Sequence, residues 1–178
     1  HLAGIASPRV AGADPSAAQR ANCDEALELA DCVLQRLPEA VFVFISSAAV
    51  YGLSANTHAL LDEMAPLQPI DPYGKSKAAA DAAIGDMAKS GLRSIRLRPF
   101  NHTGPGQPQG FAVPDFASQI ARIGAEGSKG GPIRVGSLED ARDFLDVRDV
   151  CRAYVEVLRR ADQLPAGLEA CQCVTPFG

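Results

Sequence analysis

Short apolar runs alternate along this chain with longer segments in which apolar residues recur at helical spacing. The runs predict strands at VFVFISS (41–47), SIRLRPF (94–100) and PIRVG (132–136), with HLAG (1–4) as a strand end and LEACQCV (168–174) as a last candidate. The periodic segments predict helices over 14–37, 73–90, 114–127 and 148–161. Strands that alternate with helices indicate a parallel α/β sheet covered by helices.

Turn and capping residues set the limits of these elements. Asp14 and Pro15 are typical of a helix start, as the cap and the first helical residue, and Pro38 ends the same helix. Residues 51–72 are predicted to form a loop, and so is the Gly- and Pro-rich segment 101–112.

The composition narrows the class of protein. The chain has 178 residues and a net charge of −4 without any basic block, which argues against a nucleic-acid partner. The longest apolar run, at 40–50, is too short to span a bilayer, so no membrane association is expected. The length suits one domain, or one domain and part of a second.

The five cysteines are scattered without the spacing of a disulfide framework, which favours reduced thiols and a cytoplasmic location. Cys171 and Cys173 form a short pair, but no second pair accompanies them and the histidines are dispersed. We therefore predict no metal site.

The segment YGKSK (73–77) contains a candidate acid–base pair. On a helix, Tyr73 and Lys77 are four residues apart and share a face. A free phenol has a pKa of about 10, and a nearby ammonium would lower that pKa toward the range of a general acid or base. By itself the spacing is weak evidence, because Tyr and Lys fall four apart on many surface helices by chance.

Two hydroxyls could place an oxygen beside this phenol. Ser46 and Ser47 lie at the carboxyl end of the predicted strand 41–47, where parallel α/β sheets bind their ligands. A hydroxyl from this separate element would orient a substrate oxygen next to Tyr73.

Four motifs occur in order: SSAAVYG (46–52), PYGKSK (72–77), RPFNHTGP (98–105) and RDFLDVRDV (142–150). The set resembles the extended short-chain dehydrogenase/reductase family of nucleotide-sugar epimerases, dehydratases and reductases, over nearly the whole chain. The resemblance implies a Rossmann-like fold. Residues 1–100 would be the C-terminal portion of the cofactor domain, and residues 101–178 would supply substrate-binding loops and the remaining α/β elements.

The resemblance implies a role for each motif. Tyr73 would be the catalytic acid–base, Lys77 would hold the nicotinamide ribose and lower the pKa of Tyr73, and Ser47 would be the catalytic hydroxyl. The implied NAD or NADP site further includes Leu2, Ala3, Gly4, Ser46, Pro99 and Phe100. The implied nucleotide-sugar site comprises Ser47, Asn101, Val113, Arg134 and Arg142, with the guanidinium of Arg142 on the diphosphate. The alternative for Arg142 is a surface ion pair with Asp140 or Asp146.

The family's glycine-rich turn, G-x-x-G-x-x-G after the first strand, does not occur in this sequence. The segment GPGQPQG (104–110) does not replace it, because no predicted helix begins on it and Pro interrupts it twice. We therefore expect the first βαβ portion of the cofactor domain to be missing from this chain. The residue that would distinguish NAD from NADP is expected to be missing with it.

The residues after Ser47 discriminate among the activities of the family. Dehydratases carry an acidic pair there, whereas this chain has Ala48 and Ala49, which argues against dehydration. The segments RPFNHTGPGQ and IRVGSLEDARDFLDVRDVCRAY most resemble reductases that form GDP-D-rhamnose from GDP-4-keto-6-deoxy-D-mannose. A nucleotide-sugar 4-epimerase is the alternative, and a non-catalytic dimerising or binding remnant is an alternative of another class.

The resemblance also implies a homodimer built from the helices at about 14–37 and 73–90. Both helices carry more Ala and Leu than one core-facing stripe requires, as in AAADAAIGDMA (78–88). Small side chains permit the close approach of two helices, so we expect these faces to meet their copies in a second subunit.

Overall fold

The computed structural model describes residues 1–57, 61–126, 131–139 and 141–163. Its strands are β1 (Phe42–Ile45), β2 (Ser94–Leu97), β3 (Asn101–Thr103) and β4 (Phe144–Asp146). Its α-helices are α1 (Pro8–Ala13), α2 (Pro15–Gln19), α3 (Glu25–Arg36), α4 (Ser54–Thr57), α5 (Pro72–Lys89), α6 (Ala112–Glu126) and α7 (Val147–Arg160). A π-helical turn covers Arg20–Asp24, and 3₁₀ turns cover Ala48–Val50 and Ala161–Gln163.

The first sheet joins β1 and β2 in parallel, with Phe42 opposite Ser94 and Ile45 opposite Leu97. On the other edge of β1, the His1 nitrogen donates to the Val43 oxygen at 2.7 Å, and the Ile45 amide donates to the His1 oxygen at 3.3 Å. This is the hydrogen-bond pattern of a parallel ladder, and it agrees with the strand end predicted at residues 1–4. The predicted parallel α/β arrangement is confirmed.

Side-chain caps begin the helices that carry the core. Asp14 accepts a hydrogen bond from the Ala17 amide at 2.9 Å, as predicted, and the helical segment continues through the π-helical turn to Arg36. Asp71 caps α5 in the same way, by accepting from the Gly74 amide at 2.7 Å, and Pro72 occupies the first helical position.

The main core lies between β1 and the helices α3 and α5. Phe42 and Phe44 are buried against alanines of α3 and α5 and against Ile84. Burial of one such phenyl ring contributes about 1.5–3 kcal/mol, and the small alanine side chains let both helices approach the strand closely. This packing fixes α5 across the sheet.

A second, smaller pair of strands was not predicted. β3 pairs with β4 in parallel, with His102 opposite Leu145, although segment 101–112 was predicted to be loop throughout. Residues 132–136, predicted as a strand, form none in the structure. The reason is that strands of three residues are set by their partner rather than by a local apolar pattern. The strand candidate at 168–174 lies outside the described residues.

The predicted loop 51–72 contains one short helix, α4. The change from the first sheet to the second falls at the proposed division near residue 100, although that division itself stays a prediction. Among the helices of the described ranges, none is long and apolar enough to cross a membrane.

Candidate active site

The candidate cofactor residues lie at the carboxyl ends of the parallel strands in the first sheet. Residues 2–4 follow His1, Ser46 and Ser47 follow β1, and Pro99 and Phe100 follow β2. Two backbone bonds join these ends: the Ser46 amide donates to the Leu97 oxygen at 2.7 Å, and the Ala48 amide to the Pro99 oxygen at 2.9 Å. This is the edge at which parallel α/β sheets bind their ligands.

Ser47 is held in position by the 3₁₀ turn that follows it. Its Oγ accepts a hydrogen bond from the Ala49 amide at 3.1 Å and so caps the turn. The first turn of α5 packs directly against this segment, because Gly74 has no side chain. A Cβ on Gly74 would lie 2.7 Å from the Ala49 oxygen. The close approach brings Tyr73 to Ser47.

The Ser47 hydroxyl lies close enough to the Tyr73 phenol to lower the pKa of the phenol by hydrogen bonding. Burial raises the pKa of Tyr73, the Ser47 hydrogen bond acts in the opposite direction, and the carboxylate of Asp71 raises the pKa further. The phenol therefore carries its proton at neutral pH. The structure thus brings together two of the residues predicted to be catalytic.

Lys77 extends from α5 to the end of β1. Its ammonium donates to the Ile45 oxygen at 2.9 Å and lies over the Phe44 ring, 5.1 Å from the centroid. Burial lowers the pKa of Lys77 to about 8. The expected lowering of the Tyr73 pKa by Lys77 is not seen, because the ammonium is directed to the sheet and burial of the phenol prevails.

Ser46 offers a polar atom for a ligand at the same edge. Its Oγ is buried and has no hydrogen-bond partner within the part of the chain that the structure describes. Buried hydroxyls are usually satisfied, so an unpaired one next to Ile45, whose oxygen holds Lys77, fits a site that accepts a polar ligand.

Asn22 is a site residue that the sequence patterns did not reveal. It is fully buried in the π-helical turn, where its Oδ1 accepts from the Ile5 amide at 2.8 Å. Its Nδ2 donates to the Ile5 oxygen at 3.1 Å and to the Ser76 Oγ at 3.0 Å. Ser76 in turn donates to the Tyr73 oxygen at 2.8 Å. This network ties the loop after Gly4 to the first turn of α5.

Two candidate substrate residues meet at the second pair of strands. Asn101 begins β3, and its Nδ2 donates to the Asp143 oxygen at 3.3 Å. The guanidinium of the neighbouring Arg142 is exposed and donates to the Ala141 oxygen at 2.7 Å. Of the two alternative partners proposed for Arg142, Asp146 pairs with Arg148, at 2.6 Å, and Asp140 lies outside the described residues.

The other two candidate substrate residues, Val113 and Arg134, lie on α6 or are hydrogen-bonded to it. Val113 is exposed at the start of this helix. The backbone of Arg134 is held by Gln119 of α6, whose Oε1 accepts from the Arg134 amide at 2.7 Å and whose Nε2 donates to the Arg134 oxygen at 3.0 Å. Asn101 and Arg142 thus belong to the β3–β4 pair, and Val113 and Arg134 to α6.

The cysteines within the described ranges are free thiols, with Cys23 buried and Cys32 and Cys151 exposed. In the same ranges, no three His, Cys, Asp or Glu side chains are grouped as metal ligands would be. The Cys171–Cys173 pair lies outside the described residues.

Comparison with known proteins assigns the whole chain to a family. The NAD dependent epimerase/dehydratase family matches residues 1–169. The chain belongs to this family. The GDP-6-deoxy-D-mannose reductase of Pseudomonas aeruginosa is 36% identical over 163 residues, which cover 91% of this chain and 53% of that protein. A UDP-glucose 4-epimerase of Rhizobium leguminosarum bv. trifolii is 37% identical over 131 residues, which cover 68% of this chain and 37% of that protein.

Solved structures agree with this assignment. The structure of RMD from Pseudomonas aeruginosa complexed with NADPH has a TM-score of 0.81 and 33% identity, and the match covers 97% of this chain and 56% of that one. A UDP-N-acetylglucosamine 4-epimerase from Methanobrevibacter ruminantium, in complex with UDP-N-acetylmuramic acid, has a TM-score of 0.73 and 29% identity, over 87% of this chain and 49% of that one. The predicted family and its Rossmann-like fold are confirmed. The chain spans about half the length of the first of these relatives.

Proposed function

We propose that the full-length protein is an NAD(P)-dependent nucleotide-sugar reductase that reduces the 4-keto group of GDP-4-keto-6-deoxy-D-mannose and forms GDP-D-rhamnose. The observation that carries this proposal is the placement of Tyr73 beside Ser47 at the carboxyl ends of the strands, where Gly74 lets α5 pack on the Ser47 turn. A half-buried phenol that keeps its proton can protonate an oxygen on which negative charge develops.

The residues at this edge fit a nicotinamide cofactor. Among the described residues, Ser46 Oγ has no partner and the Lys77 ammonium bonds to Ile45, so this hydroxyl and the remaining N–H groups of Lys77 are candidate donors for a ribose. Residues 2–4, Pro99 and Phe100 form the surrounding backbone. Bound NAD(P)H supplies the hydride. Lys77 would hold the ribose as a cation, which its lowered pKa of about 8 still permits at neutral pH.

The protein's own part in the reduction is the transfer of a proton. As the hydride reaches C4 of the sugar, the carbonyl oxygen becomes an alkoxide, and the Tyr73 phenol donates its proton to that oxygen. Ser47 donates a hydrogen bond to the same oxygen and holds it beside the phenol. Solvent then returns a proton to the Tyr73 phenolate. The phenol can make this transfer although its pKa is raised, because an alkoxide is a much stronger base than a phenolate.

Ala48 and Ala49 support a reductase rather than a dehydratase. Both lie in the turn that Ser47 caps, at the positions where dehydratases of the family carry acids. Methyl groups neither donate nor accept protons, so this turn supplies no group for the loss of water from the sugar. We therefore expect GDP-mannose to be left unchanged.

The nucleotide part of the substrate would bind along the second pair of strands. The exposed guanidinium of Arg142 suits a diphosphate, which it can bind through two parallel N–H donors. Asn101, at the start of the neighbouring strand, would contact the same diphosphate. Val113 and Arg134 would add further contacts. We further propose that the enzyme is a homodimer and that it acts in the cytoplasm.

The proposal is tested by mixing the full-length protein with GDP-4-keto-6-deoxy-D-mannose and reduced NAD(P). A fall in the absorbance of the reduced nicotinamide, by one cofactor for each sugar, is the expected result. In a parallel assay with UDP-glucose, inversion of C4 without a net change in absorbance would instead establish the 4-epimerase, which the relationship to UDP-glucose 4-epimerases favours. An unchanged absorbance without any sugar product would establish the non-catalytic remnant.

A further inference from the structure

A cluster of buried polar side chains lies between α5 and the strand β2, outside the acid–base pair. It consists of Tyr51, Asp81, Arg96 and Arg98, and we refer to it as the Arg98 cluster. Tyr51 and Asp81 are fully buried, and Arg98 is only 4% exposed. Burying charges is costly unless they are paired, so such a cluster needs a reason beyond simple packing.

Arg98 is the centre of the cluster. Its Nε donates to the Asp81 Oδ2 at 2.9 Å and its Nη2 donates to the Asp81 Oδ1 at 2.8 Å, which makes a two-bond fork. Its Nη1 donates to the Tyr51 hydroxyl at 3.2 Å and to the Glu63 oxygen at 3.1 Å. The guanidinium also lies over the Tyr51 ring, 5.3 Å from the centroid.

These contacts join the segments that carry the acid–base pair. Asp81 lies on α5 four residues after Lys77 and eight after Tyr73, on the same face of the helix. Tyr51 ends the 3₁₀ turn that begins at Ser47, and its amide donates to the Ala48 oxygen at 3.1 Å. Arg98 therefore connects the helix that bears the phenol to the turn that bears the hydroxyl.

Arg96 also bonds to the Asp81 carboxylate, but its second hydrogen bond goes to the backbone of α5. Its Nη1 donates to the Asp81 Oδ1 at 3.0 Å and to the Asp81 oxygen at 2.9 Å. Gly85 makes room for it, since a Cβ there would lie 2.5 Å from the Arg96 Nη1. These bonds attach β2 to α5 alone and do not extend to the Ser47 turn.

We propose that Arg98 is a positioning residue, which sets the placement of Ser47 relative to Tyr73 by fastening the Tyr51 turn to α5. Its effect on turnover rests on the proposed function, whereas its effect on the Ser47–Tyr73 geometry does not. Arg96 supplies the matched control. The cluster has two guanidiniums and one aspartate, so Arg98→Met and Arg96→Met each leave one neutral Asp–Arg pair in place.

The first measurement needs no substrate. Tyrosines labelled with ¹³C at Cζ, with Tyr73 assigned by its loss in Tyr73→Phe, are observed by NMR as pH is raised in wild type and in both variants. Arg98→Met is expected to shift the Tyr73 resonance and its titration, because Ser47 moves relative to the phenol. Arg96→Met is expected to leave both as in wild type. Equal Tyr73 titrations in the two variants would overturn the proposal.

The second measurement is turnover, corrected for stability by denaturant unfolding of each variant. A misplacement of about 1 Å can cost a hundredfold in rate, so Arg98→Met should lower kcat by roughly tenfold or more with KM little changed, and Arg96→Met by less than about threefold. Equal losses of kcat for equal losses of stability would show a merely structural role. If wild type reduces no sugar while the NMR difference persists, the proposed function fails and the positioning role stands.

A milder variant keeps the proposal testable if Arg98→Met does not fold. Tyr51→Phe removes only the hydroxyl that accepts from Arg98 and retains the ring beneath the guanidinium. It should shift the Tyr73 resonance in the same direction as the larger change would, with a smaller loss of kcat. An unshifted Tyr73 resonance in this variant would contradict the proposal.

Discussion

The ammonium of Lys77 lies 2.9 Å from the backbone oxygen of Ile45, the last residue of β1. This bond crosses from α5 to the sheet and directs the charge toward the strand ends rather than toward the phenol on the same helix. Burial and the carboxylate of Asp71 raise the pKa of Tyr73, Ser47 acts in the opposite direction, and the Lys77 ammonium lies at the end of β1. This division of roles leads to separate predictions for the two residues.

Replacement of the phenol tests its role in proton transfer. Tyr73→Phe should lower kcat by about 10²–10⁴-fold, because general acid help of this size is lost, and should leave nucleotide-sugar affinity nearly unchanged. Ser47→Ala should cost less, since water can partly replace a hydroxyl that only orients. Steady-state kinetics and a separate binding titration check both expectations. A loss below tenfold for Tyr73→Phe would rule out the phenol as the acid.

The lowered pKa of Lys77 predicts how stability depends on pH. Because burial lowers this pKa from 10.5 to about 8, the unfolded chain binds a proton between these values that the folded chain has lost. Stability from this residue therefore rises as pH increases from about 8 to 10.5, by at most about 3 kcal/mol. Lys77→Met should abolish this rise in urea unfolding measured across the range.

Lys75→Met is the control for that measurement, because Lys75 is an exposed lysine on the same helix. The free energy of unfolding of Lys75→Met should change with pH as that of wild type does between about pH 8 and 10.5. A Lys77→Met protein that still gains as much stability as wild type between these pH values would show that Lys77 is not the group responsible.

The contact between Gly74 and Ala49 predicts an effect of a single methyl group. Gly74→Ala would bring a Cβ to 2.7 Å from the Ala49 oxygen, so α5 must move away from the Ser47 turn. We expect a loss of about 1–3 kcal/mol in the free energy of unfolding, together with reduced kcat. Gly124→Ala on α6, where a Cβ meets nothing within 4 Å, should instead stabilise the protein by about 0.5–1 kcal/mol. Destabilisation of both variants alike would contradict this account.

Much of the first sheet and its helices could be predicted because their local patterns agree with their final environment. Asp14 caps a helix in the structure as its sequence context indicates, and the apolar run around Phe44 forms β1. The placement of Ser47 beside Tyr73 could be expected from the motifs alone. For these parts, local sequence and tertiary packing favour the same structure.

The parts of the fold and of the site that could not be predicted depend on contacts between residues far apart in the sequence. Asn22 bonds to Ser76 across 54 positions, and Arg98 bonds to Asp81 across 17, and no local pattern marks either pair. One indication was available: Asp81 lies on an alanine-rich helix face with Tyr73 and Lys77, and a buried carboxylate requires a cationic partner. The direction of Lys77 could not be predicted, because helical spacing gives a shared face but not the target of a long side chain.

The proposed homodimer predicts that a larger side chain on the exposed face of α5 disrupts the dimer. Ala79 and Ala82 are exposed there, together with Lys75, Asp86 and Lys89. Ala82→Arg should convert the dimer to a folded monomer in light scattering at micromolar concentration, since a large charged side chain prevents close helix approach. Ala125→Arg, at an exposed alanine of α6, should leave the dimer intact. A monomeric wild type would contradict the proposed assembly.

The proposed reduction of the 4-keto sugar is tested most directly by following a labelled hydrogen from the cofactor into the sugar. The full-length protein is given GDP-4-keto-6-deoxy-D-mannose and nicotinamide cofactor that carries deuterium at the transferred position, and the product is analysed by mass spectrometry and NMR. Our account predicts GDP-D-rhamnose with one deuterium at C4, formed with wild type and almost absent with Tyr73→Phe. A product with the opposite configuration at C4, or unchanged substrate, would contradict it.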